Sequence, residues 1–346
     1  MRERALKFLG EFAETPLVTF PGDSNGYMLF VKDESHRMHS NSFKILGCLY
    51  AAASECCPSA SSVSQTRDML RGKHITLATA SDGNHGLALG IVAKRLGTRC
   101  VVFLPRGVSQ SRIRDIKATG ATVTETGTSY DDTVTLCCEA SASKGWHLIQ
   151  DTAWEGYTKV PRLIMDAYSL IARECLQKFI PSHVFLQVGV GSFAAAIIEY
   201  IKHAVPGVLV ITVEPYDSAC MFRSLSQGKR VSIDCKTPTV CQGLDCGTPS
   251  PLAWEIMRDN VDAWIRVRDT VAIKGCLELG AQGITSGESG AAVTFGALQA
   301  LGARRRLLGI GPRSKILIFN TEGPVDRVEY QERIHKEPPC VCASDV

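Results

Sequence analysis

The stretch HITLAT, residues 74–79, opens a pattern that constrains the fold more than any other feature of the chain. A short apolar run leads through a glycine-bearing turn into an amphipathic segment, here DGNHGLALGIVAKRLG at 82–97. The same habit continues with RCVVFLP (99–105) and SQSRIRDIKATG (109–120), then ATVTET (121–126) and YDDTVTLCCEASASKG (130–145), and closes at WHLIQD (146–151). It returns in SHVFLQVGVG (182–191), SFAAAIIEYIKHAVP (192–206) and VLVITVEP (208–215), with KILIFNTEG (315–323) as a late strand ending in a turn. Strands spaced by helices of this length imply β-α-β units, hence an α/β fold with parallel-rich open sheets flanked by helices. No repeat of fixed period is visible.

Composition sets the outer limits. The 346 residues suffice for two α/β lobes with substantial cores. Charged residues make up 21% and hydrophobic ones 45%, ordinary for a globular protein. The net charge of +3 comes without a basic block, so neither nucleic acid nor an anionic membrane surface is expected as a partner. No apolar run approaches the roughly 18 residues of a membrane-spanning helix. Residues 1–16 are charged throughout and lack an apolar signal core, so a cytoplasmic location is expected. Among fourteen cysteines, Cys235, Cys241 and Cys246 come closest to a cluster, but their gaps are too long for paired zinc ligands and no metal is expected. In a reducing compartment most of these thiols should act as small buried hydrophobes.

Ligands of parallel sheets bind at the carboxyl ends of strands. Three such ends carry glycines or unusual polar groups: Ser81-Asp82-Gly83-Asn84-His85-Gly86, Gly189-Val190-Gly191-Ser192 and Asn320-Thr321-Glu322-Gly323. The second runs directly into a helix, where small residues let N–H groups close round an anion and the helix terminus adds positive charge. It reads either as a phosphate cup or as tight strand–helix packing. It is no Walker loop, and it lacks the third glycine of a dinucleotide fingerprint. Lys44, in HSNSFKILG, begins a small and apolar helix, an odd place for a surface charge. A desolvated lysine with a phosphate cup elsewhere in an α/β chain suggests a pyridoxal phosphate Schiff base.

The order Ser42-Phe43-Lys44, then Ser81 to Gly86, then the glycine cup resembles the tryptophan-synthase-β (fold type II) family of pyridoxal phosphate enzymes. Within that family, Lys32-Asp33-Glu34-Ser35, Gln150-Asp151-Thr152-Ala153-Trp154-Glu155-Gly156-Tyr157 and Ser286-Gly287-Glu288-Ser289-Gly290-Ala291 are most similar to the diaminopropionate ammonia-lyases, over roughly residues 12–325. The resemblance implies a large cofactor-binding lobe (1–48 and 162–330), a small mobile lobe (49–161) and a homodimer, while residues 331–346, charged and then rich in Pro and Cys, read as a flexible tail. The implied reaction is α,β-elimination of ammonia from 2,3-diaminopropionate, D and/or L, giving pyruvate and ammonia. Carried over residue by residue, Lys44 holds the cofactor aldehyde beside Phe43, and Asn84 hydrogen-bonds the ring oxygen. Gly189, Val190, Gly191, Ser192 and Phe193 donate to the phosphate, while Thr321 faces the pyridine nitrogen. A neutral hydroxyl there does not keep that nitrogen protonated, which suits elimination over long-lived carbanion chemistry. Asp82 and Asp151 are the implied acid–base groups, Asp82 for the D-substrate and Asp151 for the L-substrate. Taken singly, Asn84 and Asp151 also read as helix N-caps, Asp82 as a turn residue, and Lys44 as a snorkelling surface lysine.

The chain departs from the related R-F-G-L-N-A-F-K pattern in Arg37-Met38-His39-Ser40-Asn41-Ser42-Phe43-Lys44. His39 and Ser40 replace a glycine and an apolar residue, and they are expected to bring polar groups close to the reacting carbon. That keeps open a serine/threonine dehydratase-like lyase, a β-replacement synthase, and a binding protein that retains the fold without the chemistry. Cys220 and Cys246 stand where related lyases tend to carry cysteines, and a disulfide between them is one reading.

Overall fold

The computed structural model describes residues 2–21, 26–81, 83–324 and 327–334. The described strands are β1 (Leu17–Pro21), β2 (Met28–Asp33), β3 (Thr76–Ala80), β4 (Arg99–Leu104), β5 (Thr122–Glu125), β6 (His147–Leu148), β7 (His183–Gln187), β8 (Leu209–Pro215), β9 (Ala263–Val267) and β10 (Lys315–Asn320). The chain divides into two compact units, Met1–Ala13 with Met38–Leu170 and Glu14–Arg37 with Ile171–Val346.

The first unit holds a four-stranded parallel sheet in the order β5-β4-β3-β6. β3 is buried along its whole length, which is why HITLAT reads apolar without alternation: both faces are covered. Ala78, Ala80, Val101, Phe103 and Cys137 form its core. The crossover helices begin and end where local chemistry dictates. Ser109 and Ser129 accept the N–H groups of Arg112 and Asp132, and Gly97 and Gly145 close helices with φ of 74° and 63°, conformations that disfavour a side chain.

The second unit holds a six-stranded sheet in the order β1-β2-β10-β7-β8-β9. It is parallel except for β1, which runs antiparallel to β2. Val31, Phe185, Val213, Ile316 and Ile318 pack beneath Val293, Ala297 and Leu298. Tyr330 is buried in the same core, within helix Arg327–Ile334. Residues 335–346 lie outside the described residues.

The block from Lys32 to Arg37 builds a closed charge network in this unit. Arg37 donates to Glu34 Oε1 and Oε2 at 2.8 Å each and to Glu174 Oε1 and Oε2 at 2.9 and 2.7 Å. Lys32 pairs with Glu174 and donates to the Thr15 carbonyl at 2.8 Å. Two cations face two carboxylates, all buried. Burial works against the Arg37 charge, and Glu34 and Glu174 more than reverse it.

Candidate active site

Helix Lys44–Cys56 is held tightly enough to aim its first residue. A Cβ on Gly47 would lie 2.6 Å from Ile164 Cγ2 and 2.9 Å from Tyr168 Cε1, so only glycine lets helix Lys159–Leu176 come this close. The Phe43 and Tyr168 rings meet at 4.6 Å. Lys44 therefore sits at a helix N-terminus, the wrong end of the macrodipole for a cation by roughly 0.3–1 kcal/mol. What offsets this is Asp151, whose Oδ2 accepts from Lys44 Nζ. The segment before the helix is also unusual. Met38, His39 and Asn41 hold φ of 50°, 60° and 62°, a region that costs a non-glycine residue roughly 1–2 kcal/mol. His39 thus pays backbone strain where the related pattern has glycine. Its side chain is exposed, and the Ser40 hydroxyl donates to the Ser42 carbonyl at 2.8 Å. Neither placement supports the expectation that the pair brings new polar groups to the reacting carbon.

The Gln150–Tyr157 block folds into a tight loop that fixes Asp151 at the end of β6. Gln150 Oε1 accepts from Thr79 Oγ1 at 2.7 Å and Ala80 N at 3.1 Å. Tyr157 donates its hydroxyl to the Leu148 carbonyl at 2.8 Å and accepts the Gln150 N–H at 3.0 Å. The Trp154 and Tyr157 rings stack at 4.3 Å. No helix follows Asp151, so the N-cap reading of that residue does not hold. Burial alone would raise the Asp151 carboxyl; the Lys44 charge, above all, and the Lys44 hydrogen bond outweigh it and hold the group well below the usual carboxylate range.

Ser81 caps the neighbouring turn, its Oγ accepting from Gly83 N at 3.1 Å and Gly86 N at 2.9 Å. Gly83 is the N-cap of helix Asn84–Leu96, and Asn84 is the first helical residue rather than the cap. His85 follows, buried, with Nε2 2.7 Å from the Ile149 carbonyl and Nδ1 3.6 Å from Asp151 Oδ2 and 3.5 Å from Cys48 Sγ. Asp82 lies outside the described residues.

The second unit presents a different kind of site. β7 ends at Gln187, and Gly189-Val190-Gly191 turn into helix Ser192–Ala204, whose N-cap is Gly191 with no capping side chain. A Cβ on Gly189 would meet Cys246 Sγ and the Gly243 carbonyl at 3.1 Å. Gly191 has φ of 97°, and a Cβ there would meet Ala253 Cβ and Met221 Cε at 2.9 Å. Ser250 donates its N–H to the Val190 carbonyl at 2.9 Å, and its buried hydroxyl has no hydrogen-bond partner among the described residues. Phe193 meets Phe319 edge-on at 5.6 Å. Thr321, just past β10, accepts from Gln187 Nε2 at 2.9 Å and donates to the Ser289 carbonyl at 3.4 Å.

The structure thus gathers Lys44 and Asp151 in one unit and Gly189–Phe193 with Thr321 in the other. Four supporting residues escaped the sequence reading: His85, Cys48, Gln187 and Ser250. The available signal for Gln187 was a lone amide closing the apolar run HVFLQ. Cys220 and Cys246 are both free thiols, so the disulfide reading is not what the structure contains.

The pyridoxal-phosphate dependent enzyme family model matches residues 9–322. Diaminopropionate ammonia-lyase of Escherichia coli is 36% identical over 93% of this chain and 87% of its own length; that of Salmonella typhimurium is 32% identical over 94% and 89%. The crystal structure of holo diaminopropionate ammonia lyase from Escherichia coli superposes with a TM-score of 0.88 at 34% identity, covering 97% of this chain and 91% of that one. The residues present fit the cofactor this family uses. Lys44 offers an amine for an aldehyde, the Gly189–Gly191 turn leads into a helix N-terminus that no side chain caps, and Ser250 sets an unsatisfied hydroxyl beside that turn. This chain belongs to the pyridoxal-phosphate dependent enzyme family, with a fold type II α/β architecture.

Proposed function

We propose that the chain is an ammonia-lyase that eliminates ammonia from 2,3-diaminopropionate and, with one water, yields pyruvate and two ammonia molecules. The observation that carries this reading is the part-buried Lys44–Asp151 pair at the start of the Gln150–Tyr157 loop, in a chain 36% identical to an enzyme with that name. When bound, pyridoxal phosphate withdraws electrons from the substrate's α-carbon and so acidifies its hydrogen. Lys44 is the attachment residue, with Phe43 beside it and Asn84 as a hydrogen-bonding neighbour. Gly189, Val190, Gly191, Ser192 and Phe193 anchor the phosphate through backbone donors at a helix N-terminus. Thr321, oriented by Gln187, offers a neutral hydroxyl to the ring nitrogen.

Asp151 takes the α-hydrogen of the L-substrate and Asp82 that of the D-substrate. While Lys44 pairs with it, Asp151 is a weak proton acceptor; it gains basicity when the ammonium leaves Oδ2. The two carboxylates also attract the second ammonium of a diamino acid, for which a hydroxy amino acid has no counterpart. Residues 49–161 are proposed as the small mobile lobe and 1–48 with 162–330 as the large one. The strands support the grouping, since β3 to β6 fall within the former range and the other strands within the latter, although 1–13, 38–48 and 162–170 pack with the unit that holds β3 to β6. A cytoplasmic homodimer completes the reading, for which size-exclusion with light scattering is the check.

The test is a panel of D- and L-2,3-diaminopropionate, serine and threonine, scored for ammonia and pyruvate. Turnover of a diaminopropionate enantiomer well above the hydroxy amino acids is expected. Preference for serine or threonine would replace this reading by a dehydratase.

A further inference from the structure

The geometry points to His85 as a positioning residue for Asp151, an assignment that rests on the function proposed above: once Asp151 Oδ2 carries the substrate's α-proton, His85 Nδ1 accepts a hydrogen bond from it. The ring nitrogen that faces the Ile149 carbonyl, Nε2 at 2.7 Å, must carry a hydrogen, because a carbonyl only accepts. A neutral ring then has its lone pair on Nδ1, the atom 3.6 Å from Asp151 Oδ2. Burial, above all, holds the ring below an ordinary histidine's value; Lys44 adds to this, while Asp151 and the Ile149 carbonyl oppose it. In the resting state Cys48, 3.5 Å from Nδ1, supplies the hydrogen that the lone pair needs. Burial, and then the field of Asp151, keep that thiol protonated.

The other ionisable groups acting on Asp151 are Lys44, which donates to it, and Tyr157 and Tyr168, whose hydroxyls burial keeps neutral. A lone pair beside a carboxylate is repulsive and beside a carboxylic acid attractive. His85 therefore stabilises Asp151 selectively after proton uptake, when the carboxyl group needs it. In the step itself the C–H bonding electrons stay on the substrate and the proton forms an O–H bond at Oδ2. With the 3.6 Å gap closed to hydrogen-bond distance, that O–H donates to Nδ1 without transfer. The proton then passes to the β-amino nitrogen, which has by then lost its ammonium proton to solvent and is a neutral amine, as its C–N bond breaks; ammonia leaves and the carboxylate is restored.

Two substitutions separate this role from packing. His85→Gln keeps a donor for Ile149 but moves the acceptor away from the Nδ1 position; His85→Asn keeps an acceptor near it. In the holoenzyme, His85→Gln should lower kcat for the L-substrate about 10- to 100-fold, the range of one strong hydrogen bond. It should change D-turnover little, and His85→Asn should recover most of the L-rate. Equal losses on both enantiomers, or an Asn variant as poor as Gln, would overturn the assignment. A second readout needs no turnover: long-range ¹H–¹⁵N spectra of the histidine-labelled protein should show the His85 ring neutral with its hydrogen on Nε2 at about pH 7. An imidazolium, or a hydrogen on Nδ1, would also overturn it. A parent protein inactive on both enantiomers would instead remove the proposed function, and the ring spectrum would still decide the state of His85.

Discussion

Two clusters of buried charge in this chain look alike by composition and differ in every property that matters for chemistry. Lys32, Glu34, Arg37 and Glu174 are matched two against two, with side chains at most 3% exposed and each carboxylate bonded more than once. Lys44, Asp151 and His85 carry one cation, one anion and one neutral ring, with side chains 27%, 12% and 5% exposed. The first cluster has no spare valence and nowhere for a proton to go. The second is open at Lys44, and both its carboxylate and its imidazole titrate below their usual values, the carboxylate because Lys44 outweighs burial and the imidazole because of burial itself. Buried charge by itself therefore does not mark a candidate reactive site; partial access and a neutral ring beside the pair do.

Breaking each cluster should give different failures. Lys44→Ala should lower turnover by at least about 10⁴-fold, the scale of losing a covalent catalytic group, with the fold intact by circular dichroism. Turnover within tenfold of the parent would take Lys44 out of its role. Arg37→Met should instead act on stability. Leaving Glu34 and Glu174 buried without their shared guanidinium should cost about 3–5 kcal/mol in urea unfolding. A loss under about 1 kcal/mol would mean that water or Lys32 compensates for the missing charge.

The smallest effect concerns acid. His85 titrates lower in the fold than its ordinary 6.5, so below that pH the unfolded chain binds a proton the fold refuses, and stability falls as pH drops. Asp151, depressed from 3.8, acts in the same direction at lower pH, since its stabilisation is present above that value and lost as pH falls through the folded one. Between about pH 7 and 5 the parent should lose more unfolding free energy than His85→Gln. Identical slopes would place the His85 proton in both states.

The α/β alternation was legible because buried parallel strands are continuous apolar runs, and the serine and glycine caps lie where the turns read. β9 was not: Ala263–Val267 is an edge strand with mixed exposure and an arginine in it. The Lys32–Arg37 network was equally hidden, since local charges read as a solvated stretch and the partner Glu174 lies 137 residues from Arg37. At the candidate site, Lys44, Asp151 and the glycine turn were singled out through motif order. His85 was quoted inside a motif and given no role, because only the fold brings Ile149 and Asp151 to opposite sides of its ring.

The central claim is that Asp151 is the proton acceptor for one enantiomer while Asp82 serves the other. The direct measurement is kcat/KM of Asp151→Asn and Asp82→Asn on D- and L-2,3-diaminopropionate. Asparagine keeps the volume, so a large loss reports on the proton. Asp151→Asn should lose about 10²–10⁴-fold on the L-substrate and far less on the D-substrate, and Asp82→Asn should show the reverse. Equal losses on both enantiomers in each variant would contradict the account and leave these carboxylates as binders of the substrate's ammonium.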